Sequence, residues 1–161
     1  MVGAAEADDD AELVFVTTDA QLLRFAASSV RPQGAAAGGM AGIKLSSAAS
    51  VIHFTAVVEG AEAVVVTISG SETVIPGTDA GRAKVSDFAE YPAKGRATGG
   101  VRAHSFLKGE DRLHLAWVGP APAYASGPDG AVRALPDPGA RRDASGQPLD
   151  AVIGTVGRAL A

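Results

Sequence analysis

Three histidines, the acid pair Glu110-Asp111 and two glycine-rich loops are the places where this sequence could carry chemistry. With no cysteine, there is no thiolate nucleophile, no thiolate metal site and no disulfide frame. His53, His104 and His114 lack the His-Glu-x-x-His spacing that places two imidazoles on one helix face around a metal. Glu110-Asp111 reads as a turn charge pair, not an acid–base dyad, and no nucleophile, base and orienting acid fall into a triad. The loops Gly34–Met40 and Gly95–Val101 do not continue into Gly-Lys-Ser/Thr, so neither is a nucleotide-binding P-loop.

Lysine and arginine remain, and their chemistry is phosphate contact. The formal net charge of −4 taken alone opposes it, yet the first twelve residues hold five acids (Glu6, Asp8, Asp9, Asp10, Glu12) and no base, leaving residues 13–161 at a net +1. Between Arg82 and Arg112, seven bases face four acids, a local +3. That distribution permits a phosphate-contacting surface without demanding one.

The elements that would position these cations are strands. Leu13–Thr18 is an apolar, β-branched run, followed by the turn-prone Asp19-Ala20-Gln21 and a second run, Leu22–Phe25. Val51–Val58 and Ala63–Ile68 flank a turn at Glu59-Gly60, and Leu113–Val118 alternates until Gly119-Pro120. Gly127-Pro128-Asp129-Gly130 is a turn before Ala131–Leu135, and Tyr124 falls in a further strand. Glycine and proline interrupt the alanine-rich segments too often for a helix, so the chain is expected to be all-β. No run approaches the roughly 18 apolar residues of a membrane span, and the acidic N-terminus lacks signal-peptide order; a cytoplasmic protein with no membrane partner is the expectation.

The sequence also repeats. Gly34-Ala35-Ala36-Ala37-Gly38-Gly39-Met40 and Gly95-Arg96-Ala97-Thr98-Gly99-Gly100-Val101 share one glycine spacing, 61 residues apart. Each follows a proline (Pro32, Pro92) and leads into a strand-like run, Met40–Leu45 and Val101–Leu107. Some eleven extra residues around Ser71–Gly81 lengthen the second unit, and Asp143-Ala144-Ser145-Gly146 echoes Arg96–Gly99 as a degenerate third copy. Multi-stranded repeats of about 50 to 60 residues are blades, because one blade cannot bury both faces alone. The expected organisation is an acidic, disordered leader over 1–11 and about three blades over 12–157, at 12–60, 61–110 and 111–157.

At Val14–Phe25 and Gln33–Leu45 the chain resembles one blade of the C-terminal domain of the A subunit of DNA gyrase and topoisomerase IV. Glu90–Arg102 is similar to the box-like loop of another blade, and the resemblance runs from about Glu12 to about Gly154, with the Ala, Gly and Arg content of actinobacterial members. It implies a β-pinwheel, a propeller-like ring whose blades exchange strands and whose basic rim bends duplex DNA. The partners implied are double-stranded DNA and a topoisomerase catalytic core, whose breakage-reunion and ATPase subunits supply the chemistry; no cofactor is implied here. By match to the box-like loop, Lys94, Arg96 and Arg102 are the implied phosphate contacts, with Arg31 and Lys44 beside the first loop and Arg24, Lys84 and Lys108 on neighbouring strands.

The departures matter too. About five or six blades are usual in the family, and this chain has room for about three. The gyrase signature Gln-Arg-Arg-Gly-Gly-Lys-Gly is replaced by Ala93-Lys94-Gly95-Arg96-Ala97-Thr98-Gly99, and the first loop holds no base. Tyr91 and Tyr124 lack the context of a cleavage tyrosine, so the chain by itself is read as non-catalytic. The alternative is a degenerate pinwheel that docks to a protein and has lost DNA affinity.

Overall fold

The computed structural model describes residues 1–75 and 77–159. Eleven strands are described: β1 (Ala11–Thr17), β2 (Gln21–Ala26), β3 (Val51–Val58), β4 (Ala63–Gly70), β5 (Arg82–Asp87), β6 (Val101–Arg102), β7 (Arg112–Pro120), β8 (Tyr124–Ser126), β9 (Val132–Arg133), β10 (Gln147–Pro148) and β11 (Thr155–Gly157). They form three antiparallel sheets in the orders β3-β1-β2-β6, β7-β4-β5-β10 and β11-β8-β9. The chain is thus all-β and propeller-like, a partial β-pinwheel.

The sheet orders define the connectivity. Each blade runs as a hairpin (β1-β2, β4-β5, β8-β9) and closes with an outer strand (β3, β7, β11) that pairs with the hairpin's first strand. Between hairpin and outer strand the chain leaves for the previous blade. β6, which follows the second glycine loop, pairs with β2 of the first blade; β10 does the same to β5 of the second. The third blade's β9 has no such partner among the described residues.

Alternation explains how the blades stack. β4 is buried along its whole length, so its two faces must both meet protein. Val65 packs with Val14, Val16 and Leu22 of the first blade, while Val64, Val66 and Ile68 pack with Ala125, Ile153 and Val156 of the third. The near-continuous apolar run Ala63–Ile68 is the sequence mark of that two-sided burial. On the far side of the first blade Phe15 stacks on Phe25 at 5.8 Å and tilts against Phe54 at 4.9 Å, with Phe15 and Phe54 only half-buried.

Several sequence expectations shift. The run Val101–Leu107 keeps only two strand residues, and Met40–Leu45 forms no strand, because the sheet it would join is not in the described chain. β5, β10 and β11 were not legible as strands. Residues 1–10 are exposed and carry no strand, and β1 starts at the buried Ala11.

Candidate nucleic-acid interface

The rim is built from the segments that cross between blades, and one hydrogen-bond pattern repeats along it. Lys44 N donates to Thr98 O at 3.0 Å, and Ser105 N donates to Ala144 O at 3.1 Å. An arginine accompanies each crossing: Arg96 donates to Ala41 O at 2.6 Å, and Arg142 donates to Arg102 O at 3.1 Å. The backbone also ties each loop to the preceding hairpin, Lys94 N to Arg24 O at 3.0 Å and Ala140 N to Val85 O at 3.1 Å. Each loop is therefore fixed to the next at equivalent positions, and cations at those positions recur along one edge.

This ladder also corrects the third repeat. β10 pairs Gln147 with Ala83 as β6 pairs Val101 with Leu22, so Gly146 is the counterpart of Gly100. Asp143–Gly146 then aligns with Ala97–Gly100, one residue later than the sequence echo indicated. Arg142, which the sequence reading passed over, becomes the counterpart of Arg96. A search at an offset of 46 residues instead of 61 would have found it.

The close approach at Gly100 shows why the loops need glycine. Its φ is +79°, and a β-carbon would stand 2.5 Å from Leu22 O. At Gly146 a β-carbon would meet the Arg82 backbone at 2.8 Å.

A buried polar layer lies beneath the rim, between the second and third crossings. His104 is held through both ring nitrogens: Gly146 N donates to Nε2 at 3.2 Å, so Nδ1 carries the proton toward Thr67 Oγ1 at 2.9 Å. Burial, then the charges of Lys84 and Arg82, push its pKa down to about 4. Ser86 and Tyr91 share a 2.8 Å hydroxyl bond, and burial raises the Tyr91 phenol to about 12.

The implied phosphate contacts divide on these facts. Lys44, Lys94 and Arg102 are exposed and Arg96 half-exposed, all on the crossing segments. Arg31 and Lys108 are exposed as well, but no hydrogen bond or ion pair among the described residues ties either to the crossings. Among the described residues, ion pairs engage Arg24, Arg82, Arg112, Arg133 and Arg141 but none of Lys44, Lys94, Arg96, Arg102 and Arg142, although Glu90 Oε2 accepts from the Arg142 backbone N–H at 2.8 Å. Arg24 is half-buried, pairs with Glu12 at 3.2 Å and covers the Phe88 ring at 4.6 Å, which makes it a packing residue first.

Lys84 is a correction. It is 2% exposed, at the position where the first blade has Leu23, and its Nζ donates to Ala103 O at 2.6 Å, Arg141 O at 3.1 Å and Arg142 O. Burial pushes its pKa down to about 8. A phosphate has no access to it; its ammonium instead clamps the third crossing to the second. Among the described residues no group of acids, histidines or cysteines could hold a metal, and no helix is long and apolar enough to cross a membrane.

Comparison with known proteins agrees with this geometry. The family model described as the DNA gyrase C-terminal domain, beta-propeller, matches residues 11–57 and 74–115. The chain is 35% identical over 106 residues to the topoisomerase subunit TopoM of Mycolicibacterium smegmatis, an alignment that covers 66% of this chain and 14% of that protein. The fold is similar to the solved C-terminal domain of DNA topoisomerase IV, with a TM-score of 0.71 at 18% identity over 93% of this chain and 47% of that one. It is similar to the DNA gyrase A C-terminal domain too, at 0.62 and 18% over 88% and 44%. The E. coli ParC C-terminal domain gives 0.67 and 18% over 94% and 61%. Strands exchanged between blades, glycines at the crossings and a family match over more than half of the sequence lead to one assignment: the chain belongs to the DNA gyrase C-terminal domain family, the non-catalytic β-pinwheels of type IIA topoisomerase A subunits.

Proposed function

We propose that this pinwheel contacts duplex DNA along its rim and positions it for a topoisomerase catalytic core, with Lys44, Lys94, Arg96, Arg102 and Arg142 as the phosphate contacts. The observation that carries the reading is the repeated crossing, which sets these cations, none of them in a side-chain ion pair among the described residues, on consecutive, mutually hydrogen-bonded loops. Flexible cations on loops meet phosphates, which every sequence presents, so binding is indifferent to base sequence. Arg96 and Arg142 each spend one N–H on a neighbouring carbonyl and keep further donors of the guanidinium fork. Bending a duplex around three blades costs elastic energy, which the successive contacts offset. Breakage, reunion and ATP use belong to the other parts of the enzyme.

The test is fluorescence anisotropy with a duplex of ~40 base pairs over a salt series, since each phosphate contact contributes about −0.9 to the slope of log K against log salt. Lys44→Ala and Lys94→Ala leave the crossing bonds intact, because both residues use only backbone atoms there. The double variant is expected to bind more weakly, with a slope shallower by ~2. Unchanged affinity and slope would remove these residues from the interface. No binding at low salt would favour the protein-docking alternative.

A further inference from the structure

The exchange that joins the blades leaves one donor and one acceptor unused. Counterparts of β6 are Met40-Ala41, 61 residues earlier, and this segment is already set: Ala97 N donates to Gly42 O at 2.7 Å, and Lys44 N to Thr98 O. Gly39 has φ +80°, matching +79° at Gly100, yet a β-carbon there would meet nothing within 4 Å where Gly100 faces the Leu22 backbone. The loop holds the shape of a seated donor with no strand beneath it. At the other end, Val132 is the counterpart of Leu22 and Ala83, both of which receive a donated strand. Val132 is 84% exposed, and its N–H points away from β8, since the bond from Gly127 N to Ala131 O sets the hairpin's register.

We propose that two copies of this chain close on each other, each seating its Met40-Ala41 segment on β9 of the other. The register follows from the two exchanges already present, Met40 opposite Val132 and Ala41 opposite Ala131. Apolar groups lie on both faces that would meet, with Phe15 and Phe54 half-buried beside Gly42 and Gly3 on one and Tyr124 and Val132 exposed on the other. Two copies together have about the extent of the solved pinwheels, of which one copy spans 47%, 44% and 61%. A head-to-tail contact made twice in a pair closes and leaves neither the donor segment nor β9 unpaired. This pairing does not depend on the DNA-contact reading.

Because the chain has no cysteine, crosslinking tests the register directly. Ala41 and Ala131 would form a non-hydrogen-bonded pair with α-carbons about 4.5 Å apart, within disulfide reach. Mixing Ala41→Cys with Ala131→Cys under mild oxidation is expected to give a covalent pair of twice 16.1 kDa, faster than either variant alone. By light scattering, the wild type is expected to have twice the chain mass. Val132→Pro, which deletes only the outward N–H, is expected to be a monomer with an unchanged far-ultraviolet spectrum. A monomeric wild type, an open ladder of higher masses, or a pair that survives Val132→Pro and crosslinks no faster in the mixture would each overturn the proposal.

Discussion

Lowering the pH should weaken this fold, and a large part of the loss should come from one buried side chain, His104. Its Nε2 accepts from Gly146 N and its Nδ1 proton faces Thr67, so a second proton would oppose one N–H to another in a buried site. In the folded chain its pKa sits near 4 against an ordinary 6.5. The unfolded chain therefore binds the proton first as pH falls, and stability present above about 6.5 is lost progressively down to about 4. At about 1.4 kcal/mol per pH unit, the full loss is roughly 3 kcal/mol, a large part of the margin of a small domain. The comparison is His104→Gln, which keeps a carbonyl acceptor for Gly146 and cannot titrate. Urea unfolding of both proteins between pH ~7 and ~4.5 should show the wild type losing ~2 to 3 kcal/mol more than the variant. His53, whose pKa burial also lowers, and the carboxylates contribute equally to both and cancel. Parallel curves, within ~0.5 kcal/mol at every pH, would refute a neutral, structurally committed His104.

Two further outcomes test the way the crossings are held. Lys84→Met keeps the buried stem but strips a donor from three carbonyls, so urea unfolding should register a loss of roughly 3 kcal/mol, whereas Lys84→Arg should fail to rescue it for want of room. Gly100→Ala and Gly39→Ala place the same methyl at the same φ, one against Leu22 O at 2.5 Å and one in open space. In a Val132→Pro background, so that pairing does not intervene, Gly39→Ala should cost about 1 kcal/mol and Gly100→Ala at least ~2 kcal/mol more, read by thermal unfolding.

The sequence showed most of the architecture because blades repeat their strands and their glycines. Leu13–Thr18, Leu22–Phe25 and Ala63–Ile68 are legible by β-branched apolar runs, and the paired glycine spacing marks the crossings. β5 escaped because Arg82-Ala83-Lys84-Val85-Ser86-Asp87 reads as surface: its buried members include a lysine satisfied by carbonyls of the crossings and a serine satisfied by Tyr91. β10, at Gln147-Pro148, is exposed and contains a proline, tolerated because the donated strand is an edge. The same tertiary effect misled the site reading. Lys84 looks like a rim cation in sequence, and only the carbonyls of Arg141 and Arg142, more than fifty residues away, reveal its burial. Arg142 was missed for the opposite reason, since its equivalence to Arg96 depends on a period that the insertion Ser71–Gly81 and a shorter third unit disguise.

A pinwheel rim must hold cations in place without neutralising them, and this chain separates those tasks by depth. The ammonium of Lys84 is spent on carbonyls of the crossings below the surface, and the imidazole of His104 stays neutral beside it. No carboxylate bonds Lys84 directly, although Asp143 and Glu90 act on its charge and Glu90 Oε2 accepts from Arg142 N at 2.8 Å. Its direct acceptors are backbone carbonyls, and the nearby carboxylates of Asp143 and Glu90 offset its charge only in part. On the proposed DNA-contact reading, Lys84 would contribute to affinity at long range as well as to stability. A Lys84→Met protein that remains folded at low temperature should bind a duplex slightly more weakly, with the difference vanishing at salt concentrations where the screening length falls below ~5 Å. If the loss persisted undiminished at high salt, the effect would be one of loop geometry and the electrostatic role would fall.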